Sequence, residues 1–311
     1  MARRIWLPYP DLAAAGKALG PLPEGLVTDL FLADGRWPDS IGEVELVVAP
    51  YMFPPTKVMA RVKEMTSLKV VQLLSAGYDN YVPFLPPGVQ LCNAAGVHDA
   101  STAELAVSLA LASNRHLDVY ARNMATGTWG NDFSISLADR RVLIVGYGRI
   151  GAAIEQRLAG FEVASVTRVA RRARGGEAPV HPIEQLTALL PDADIVFLIT
   201  PLTPQTRHLI GETELSLLPD DALVVNVARG PVVDTDALVA QTASGRIRAA
   251  LDVTDPEPLP ADHPLWSTPG VFISPHVGGQ STAFYPRMER LVRQQLQRFA
   301  AGEPLANVVA G

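Results

Sequence analysis

With 311 residues, of which 48% are apolar and 19% charged, the chain suits two α/β domains and has ample apolar content to fold. A formal net charge of −6, with both signs spread along the sequence, gives no reason to expect nucleic acid as a partner. The single cysteine, Cys92, excludes an internal disulfide and predicts a reducing, cytoplasmic setting. No apolar run reaches the length of a membrane span, and the first residues carry no signal-peptide core.

In chain order, strands are expected at Ile5 to Leu7, Val44 to Ala49, Val70 to Leu74 and Val89 to Cys92, with a helix over Thr56 to Met65. Alternation of this kind predicts a parallel sheet covered by helices, with Cys92 as a small buried apolar residue. Ser101 and Glu104 then form a capping-box pattern ahead of one long apolar-faced helix running to about Met124 and ending near Gly127. From Arg141 the alternation restarts. Strands are expected at Val142 to Val145, Val163 to Val166, Ile195 to Ile199, Leu223 to Val227, Ala249 to Val253 and Val271 to Ile273. Helices are expected over Ile183 to Leu190, Asp236 to Ala243 and Phe284 to Ala300, the last stopping at Gly302.

The fold class this predicts is α/β: two Rossmann-like or flavodoxin-like domains with parallel sheets, the nucleotide-binding domain inserted into the substrate domain. The expected boundaries are 1–97 with 281–311 for the substrate domain and 98–280 for the nucleotide domain. Two crossings would form a hinge, and a cleft between domains is where a cofactor and a small substrate would meet.

Val142 to Gly151 reads as a buried strand, a glycine turn and a helix start. In such a turn Gly146 permits the tight bend, Gly148 lets the backbone approach a pyrophosphate, and Gly151 lets helix and strand pack closely. The helix would aim its unpaired N–H groups at the phosphates. Further on, polar residues recur where strands run out: Thr200, Arg229, Asp252 and His276. Ligands of open parallel sheets bind at that edge, so these residues form one constellation. A guanidinium at Arg229 suits bidentate capture of a carboxylate, and His276, followed by two glycines, suits proton exchange near neutral pH. Glu257, on a loop between prolines, would orient that imidazole and favour its protonated form. No metal-ligand pattern is apparent.

These motifs resemble, over nearly the whole chain, those of the D-isomer-specific 2-hydroxyacid dehydrogenases. The resemblance rests on Gly146-Tyr-Gly-Arg-Ile-Gly151, Thr200-Pro-Leu-Thr-Pro-Gln-Thr206, Asn226-Val-Ala-Arg-Gly-Pro231, Asp252 to Pro258 and Pro275-His-Val-Gly-Gly279, in the family's order. Ser75-Ala-Gly-Tyr-Asp79 and Gly302 to Asn307 also fit. It implies reduction of a small 2-oxo acid of the glyoxylate or hydroxypyruvate kind to the D-2-hydroxy acid. Arg229 would bind the substrate, His276 would donate the proton, and Glu257 would tune it. Ser75, Ala76 and Gly77 would hold the substrate carboxylate. Tyr51, Met52 and Tyr78 are the side chains expected to select the substrate.

The cofactor site it implies comprises Thr102, Gly146, Tyr147, Gly148, Arg149, Ile150, Gly151, Thr200, Pro201, Thr206, Val227, Ala228, Arg229, Asp252, His276 and Gly278, with Asp252 on the nicotinamide carboxamide. NAD-preferring members carry an acid at the end of the second nucleotide-domain strand. Here Arg168, Arg171 and Arg172 stand in that segment without an acid, which favours NADP over NAD, with Arg168 as the expected phosphate contact. The family also implies a homodimer through the nucleotide domain. The alternatives are formate, phosphite or 3-phosphoglycerate oxidation on the same fold, and a dinucleotide-sensing corepressor. Formate dehydrogenases pair the histidine with glutamine, which Glu257 disfavours.

Overall fold

A computed structural model describes residues 2–311. The chain begins with β1 (Arg3–Leu7), α1 (Leu12–Leu19), β2 (Leu26–Leu30), β3 (Val44–Val48), α2 (Pro55–Val58), β4 (Val70–Gln72) and β5 (Gln90–Cys92). It then builds α3 (Asp99–Asn114), α4 (Leu117–Thr126), β6 (Arg141–Val145), α5 (Arg149–Leu158), β7 (Ser165–Ala170) and β8 (Val180–Pro182). Next come α6 (Leu186–Leu189), β9 (Ile195–Leu198), α7 (Glu212–Leu217), β10 (Leu223–Asn226), α8 (Thr235–Ala243), β11 (Arg248–Leu251) and β12 (Val271–Ile273). The last elements are α9 (Phe284–Ala301) and β13 (Val308–Ala310).

These elements form two units: Met1–His98 with Thr282–Gly311, and Asp99–Ser281. The expected α/β architecture, with one unit inserted in the other, is found. The divisions fall one residue beyond the expected positions at each crossing. His98 belongs to unit 1 because its Nε2 bonds the Leu74 carbonyl at 2.8 Å and its ring stacks with Tyr51 and Phe284.

Unit 1 is a six-stranded sheet in the order β13-β5-β4-β3-β1-β2, with β13 antiparallel and the rest parallel. Its two faces bury separate clusters. Ile5 and Leu7 point into one and Trp6 into the other, as strand alternation requires. A buried polar thread ties the tail into this unit: Gln295 Nε2 donates to Gln72 Oε1 at 2.7 Å, and Gln295 Oε1 accepts from Ala306 N at 2.9 Å. Cys92 is fully buried, and burial pushes its thiol up to about 11.

Unit 2 is a seven-stranded parallel sheet, β12-β11-β10-β9-β6-β7-β8. Leu143 and Val145 of β6 enter one core, Val142 and Ile144 the other. Strand order reverses between β9 and β6, so the crevice at their carboxyl ends is the place where this architecture binds ligands. At the opposite edge the Asp194 carboxylate accepts from Arg141 N at 2.7 Å and from its guanidinium at 2.9 and 3.3 Å, pinning the starts of β9 and β6 together.

Several elements differ from expectation. The long helix starts two residues before the Ser101 box and breaks at His116, a left-handed residue at φ 54° that separates α3 from α4. Ser101 and Thr102 are buried inside α3, and the Thr102 hydroxyl bonds the Gly278 carbonyl instead of capping. Thr56 to Met65 shortens to α2 and a single turn, and Ile183 to Leu190 to short turns around α6. The strand expected at Val163 lies later, at β7, and β2, β8 and β13 carried too little apolar periodicity to be foreseen. Among the described residues no helix is long and apolar enough to cross a membrane.

Partial burial opposes ionisation of Asp194, but the Arg141 bonds outweigh it and hold the carboxyl below its ordinary 3.8. A depressed carboxyl stabilises the fold above its unfolded value and loses that effect as pH falls through the folded one. Asp194→Asn is therefore expected to lower the thermal midpoint at neutral pH, with the deficit closing below pH 3.8. Melting curves across that range test it. A deficit that does not narrow in acid would remove the ion pair as its cause.

Candidate active site

The glycine turn between β6 and α5 has three glycines in three different surroundings. Gly146 has φ 106°, and a Cβ there would lie 2.6 Å from the Ile199 carbonyl carbon, so no other residue fits. A Cβ on Gly151 would press on Ile144 and on the Gly146 carbonyl at 3.2 and 3.1 Å, which is the close packing of helix on strand. Gly148 is exposed, and a Cβ there would meet nothing within 4 Å. Open space thus lies over the one glycine of the three expected to admit a pyrophosphate.

No side chain caps α5, whose N-cap is Gly148, so its first amides remain for an anion. Beside the turn, Thr200 follows β9 with its Oγ1 buried and without a hydrogen-bond partner. A buried hydroxyl of that kind is expensive unless a ligand meets it. The residues present therefore fit a dinucleotide.

The second cluster lies where β10, β11 and β12 end. Arg229 follows β10 in a turn braced by Asn226, which is 1% exposed. Asn226 Oδ1 accepts from Ala228 N and its Nδ2 donates to the Arg229 carbonyl, both at 3.0 Å. Gly230 comes next, and a Cβ there would fall 1.9 Å from the Thr254 carbonyl oxygen. That approach locks the arginine turn onto the loop carrying Glu257. The same loop is held from outside by Thr235 Oγ1, which donates to the Asp255 carbonyl at 2.9 Å.

His276 follows β12 with a left-handed backbone, φ 54°, an uncommon state for a residue with a side chain. Asp252 holds it there. The buried Asp252 carboxylate accepts from Ser274 Oγ at 2.6 Å, Val277 N at 2.8 Å and Gly278 N at 2.8 Å, and its own carbonyl accepts from His276 N at 2.8 Å. So fixed, His276 Nδ1 meets Glu257 Oε1 at 2.6 Å. Partial burial pushes the Glu257 carboxyl up, but the His276 hydrogen bond and charge, together with Arg229, hold it below the ordinary range. The pair thus joins an ionised carboxylate to one ring nitrogen and leaves the other, Nε2, for exchange.

The expected residues are distributed unevenly. Arg229, Glu257 and His276 come together on the loops after β10, β11 and β12, and Thr102 of α3 joins Asp252 and Gly278. Asp252, expected on the nicotinamide carboxamide, spends three bonds on the His276 loop. Thr206 closes its own turn, donating to Pro201 O at 2.6 Å and accepting from Thr203 N at 2.8 Å. Val227 and Ala228 are buried, whereas Arg149 is exposed and bonds Asp99 at 2.7 Å.

Arg168, the expected phosphate contact, lies inside β7, opposite Ile144, with two of its guanidinium nitrogens on Glu155, through Nη2 to Oε1 and Nε to Oε2 at 2.7 Å. Arg171 and Arg172 follow the strand end and are exposed. Arg174, absent from the expected site residues, donates to the Tyr147 carbonyl and lies over the Tyr147 ring at 5.5 Å. An R-x-x-R spacing past a correctly placed strand end was the signal available for it.

In unit 1, the Ser75–Gly77 loop has its carbonyls engaged internally: Ser75 O by Ala94 N, Ala76 O by Asn93 Nδ2 at 2.7 Å, and Gly77 O by Ser75 Oγ at 2.8 Å. Met52 is exposed with φ 66°, Tyr51 stacks on Phe284 at 4.3 Å, and Tyr78 packs against the core.

A doubly wound parallel sheet with a glycine turn, an orphan hydroxyl and a histidine–carboxylate pair beside an arginine defines a dinucleotide-linked oxidoreductase. The family described as D-isomer specific 2-hydroxyacid dehydrogenase, NAD binding domain, matches residues 107–278. Glyoxylate reductase of Thermofilum pendens is 35% identical over 248 residues, covering 76% of this chain and 73% of that one. A D-isomer specific 2-hydroxyacid dehydrogenase of Xanthobacter autotrophicus, solved in complex with NADPH and MES, superposes with TM-score 0.81 at 30% identity over 99% of this chain and 98% of that one. An NADPH-dependent glyoxylate/hydroxypyruvate reductase of Sinorhizobium meliloti, solved with NADP and malonate, gives 0.80 at 28% identity over 100% and 97%. The chain belongs to the D-isomer specific 2-hydroxyacid dehydrogenase family, whose members reduce 2-oxo acids to D-2-hydroxy acids with a nicotinamide cofactor.

Asp252→Asn replaces one acceptor by a donor that faces backbone N–H groups, so at least one of those bonds is lost. Turnover is expected to fall about 10- to 100-fold, on the scale of one or two charged hydrogen bonds. Stopped-flow or steady-state turnover of the purified variant measures it. A variant with undiminished turnover would show that the His276 loop does not depend on that carboxylate.

Proposed function

We propose that this protein reduces a small 2-oxo acid, of the glyoxylate or hydroxypyruvate kind, to the D-2-hydroxy acid with NADPH. The observation that carries the reading is the 2.6 Å bond between His276 Nδ1 and Glu257, with Arg229 adding its charge at the same carboxylate. The bound nicotinamide supplies a hydride to the substrate carbon. His276 Nε2 gives a proton to the carbonyl oxygen, so that hydride and proton together convert the carbonyl group to the alcohol. Glu257 orients the ring throughout and carries the charge that balances the imidazolium. Arg229 takes the substrate carboxylate and the carbonyl oxygen, where its fixed positive charge stabilises the developing alkoxide. Ser75, Ala76 and Gly77 are the proposed carboxylate cradle of unit 1, with its carbonyls already committed. Met52, exposed and unengaged by the aromatic stack, is the side chain we assign to substrate selection.

The NADP assignment rests on the basic run after β7 and on the two relatives solved with that cofactor. With Arg168 spent on Glu155, the 2′-phosphate falls to Arg171, Arg172 and Arg174. A homodimer through unit 2 is supported by Met124, Trp129 and Phe133, which are 84%, 94% and 103% exposed on and just after α4.

Oxidation of NADPH and NADH is to be followed in parallel with glyoxylate, hydroxypyruvate, pyruvate and a phenyl-substituted 2-oxo acid. Turnover is expected with NADPH on the small acids, and silence across the panel would overturn the reading. His276→Gln is expected to cut that turnover about 10²- to 10⁴-fold, the usual share of a general acid, with cofactor affinity nearly unchanged. Survival of turnover would remove His276 as the proton donor. Arg171→Ala is expected to raise the NADPH KM about tenfold or more and leave NADH nearly unaffected. Equal effects on both cofactors would take Arg171 out of the phosphate site.

A further inference from the structure

We propose that Glu155 is a positioning residue for the cofactor turn, holding Tyr147 and thereby the whole Gly146–Gly148 bend in its binding shape before any dinucleotide arrives. The proposal rests on the dinucleotide-binding reading given above, and it assigns no contact between Glu155 and the cofactor.

Every polar group of Tyr147 is in use. Its N–H donates to the Val169 carbonyl at 2.9 Å, alongside that of Gly146 at 2.9 Å. Its carbonyl accepts from Arg174, and its phenol donates to Glu155 Oε2 at 2.6 Å. Glu155 lies on α5 and is itself immobilised by Arg168, which grips both carboxylate oxygens from β7. The Arg168 and Arg174 guanidinium carbons lie 5.7 and 5.5 Å from the Tyr147 ring centroid. Strand, helix and turn therefore converge on one carboxylate.

The need for such an anchor follows from the turn's composition. Glycines on both sides of Tyr147 give the loop the close approach it requires and also the largest conformational freedom to lose. A ligand that must order this loop on binding loses affinity by the fraction of time the loop spends elsewhere. A side-chain tether at the one non-glycine residue removes that loss. The effect is common to NADPH and NADH, because the pyrophosphate they share is what the turn receives. Reading of the 2′-phosphate, by contrast, belongs to the exposed arginines past β7.

The test uses Glu155→Gln, Tyr147→Phe and the double variant of the whole protein. Dissociation constants for NADPH and NADH are read by nucleotide fluorescence without substrate, and amide exchange of residues 146–151 is followed in the cofactor-free protein. Each single variant is expected to weaken both nucleotides about five- to tenfold, as loss of a charged hydrogen bond would. The double variant should be no weaker than Glu155→Gln alone, and exchange at the turn should quicken in all three. Maximal turnover of Glu155→Gln at saturating cofactor should stay within about twofold of the parent. Unchanged dissociation constants, losses that multiply in the double variant, or a loss confined to NADPH would each overturn the proposal. Tyr147→Phe removes a single oxygen, so the question stays answerable if Glu155→Gln folds poorly. If no 2-oxo acid were turned over, the functional reading would fail while these binding measurements still decided the anchor.

Discussion

The geometry of the candidate site depends on a carboxylate buried beneath it. Asp252 is 2% exposed at the end of β11 and gathers Ser274, Val277 and Gly278 around its two oxygens. A carboxylate so deeply placed is tolerable only because three donors meet it. In return it forces the chain after β12 into the bend that gives His276 a left-handed backbone and presents its ring to Glu257 on the neighbouring loop.

The neighbouring constraint is steric. Gly230 sits under the Thr254 carbonyl, so the turn that carries Arg229 and the loop that carries Glu257 cannot move independently. Asn226 closes the same turn from the strand side. Arginine, carboxylate and imidazole are thus set by backbone contacts made around them, and their own side chains supply the charge. This division is what a site needs if it is to bind an anion and exchange a proton without reorganising.

Much of this was legible in the sequence because parallel sheets put their chemistry at one edge. Residues that end apolar runs, Thr200, Arg229 and His276, could be recognised from hydrophobicity alone and fall at the ends of β9, β10 and β12. Legibility failed where a strand's apolar content is weak. β7 reads Ser-Val-Thr-Arg-Val-Ala, and placing it too early put Arg168 past the strand end, whereas it is a strand residue paired to a helix carboxylate. The helix break at His116 was invisible for a related reason: nothing in Ser113 to His116 prohibits a helix, and the turn is selected by tertiary context around the buried Asn114, whose Oδ1 accepts from Arg248.

The polar thread through Gln295 bears on how the chain acquires its structure during synthesis. Unit 2 is one uninterrupted stretch, so all its strands are available once Ser281 has been made. Unit 1 is different: its sheet lacks an edge strand and the covering helix α9 until β13 arrives more than two hundred residues after β5. Gln72, buried in β4, has its acceptor oxygen satisfied only by that late helix. The nascent protein must therefore carry an apolar, half-covered sheet through the whole period in which unit 2 is assembled, and contacts of such long sequence separation are slow to close.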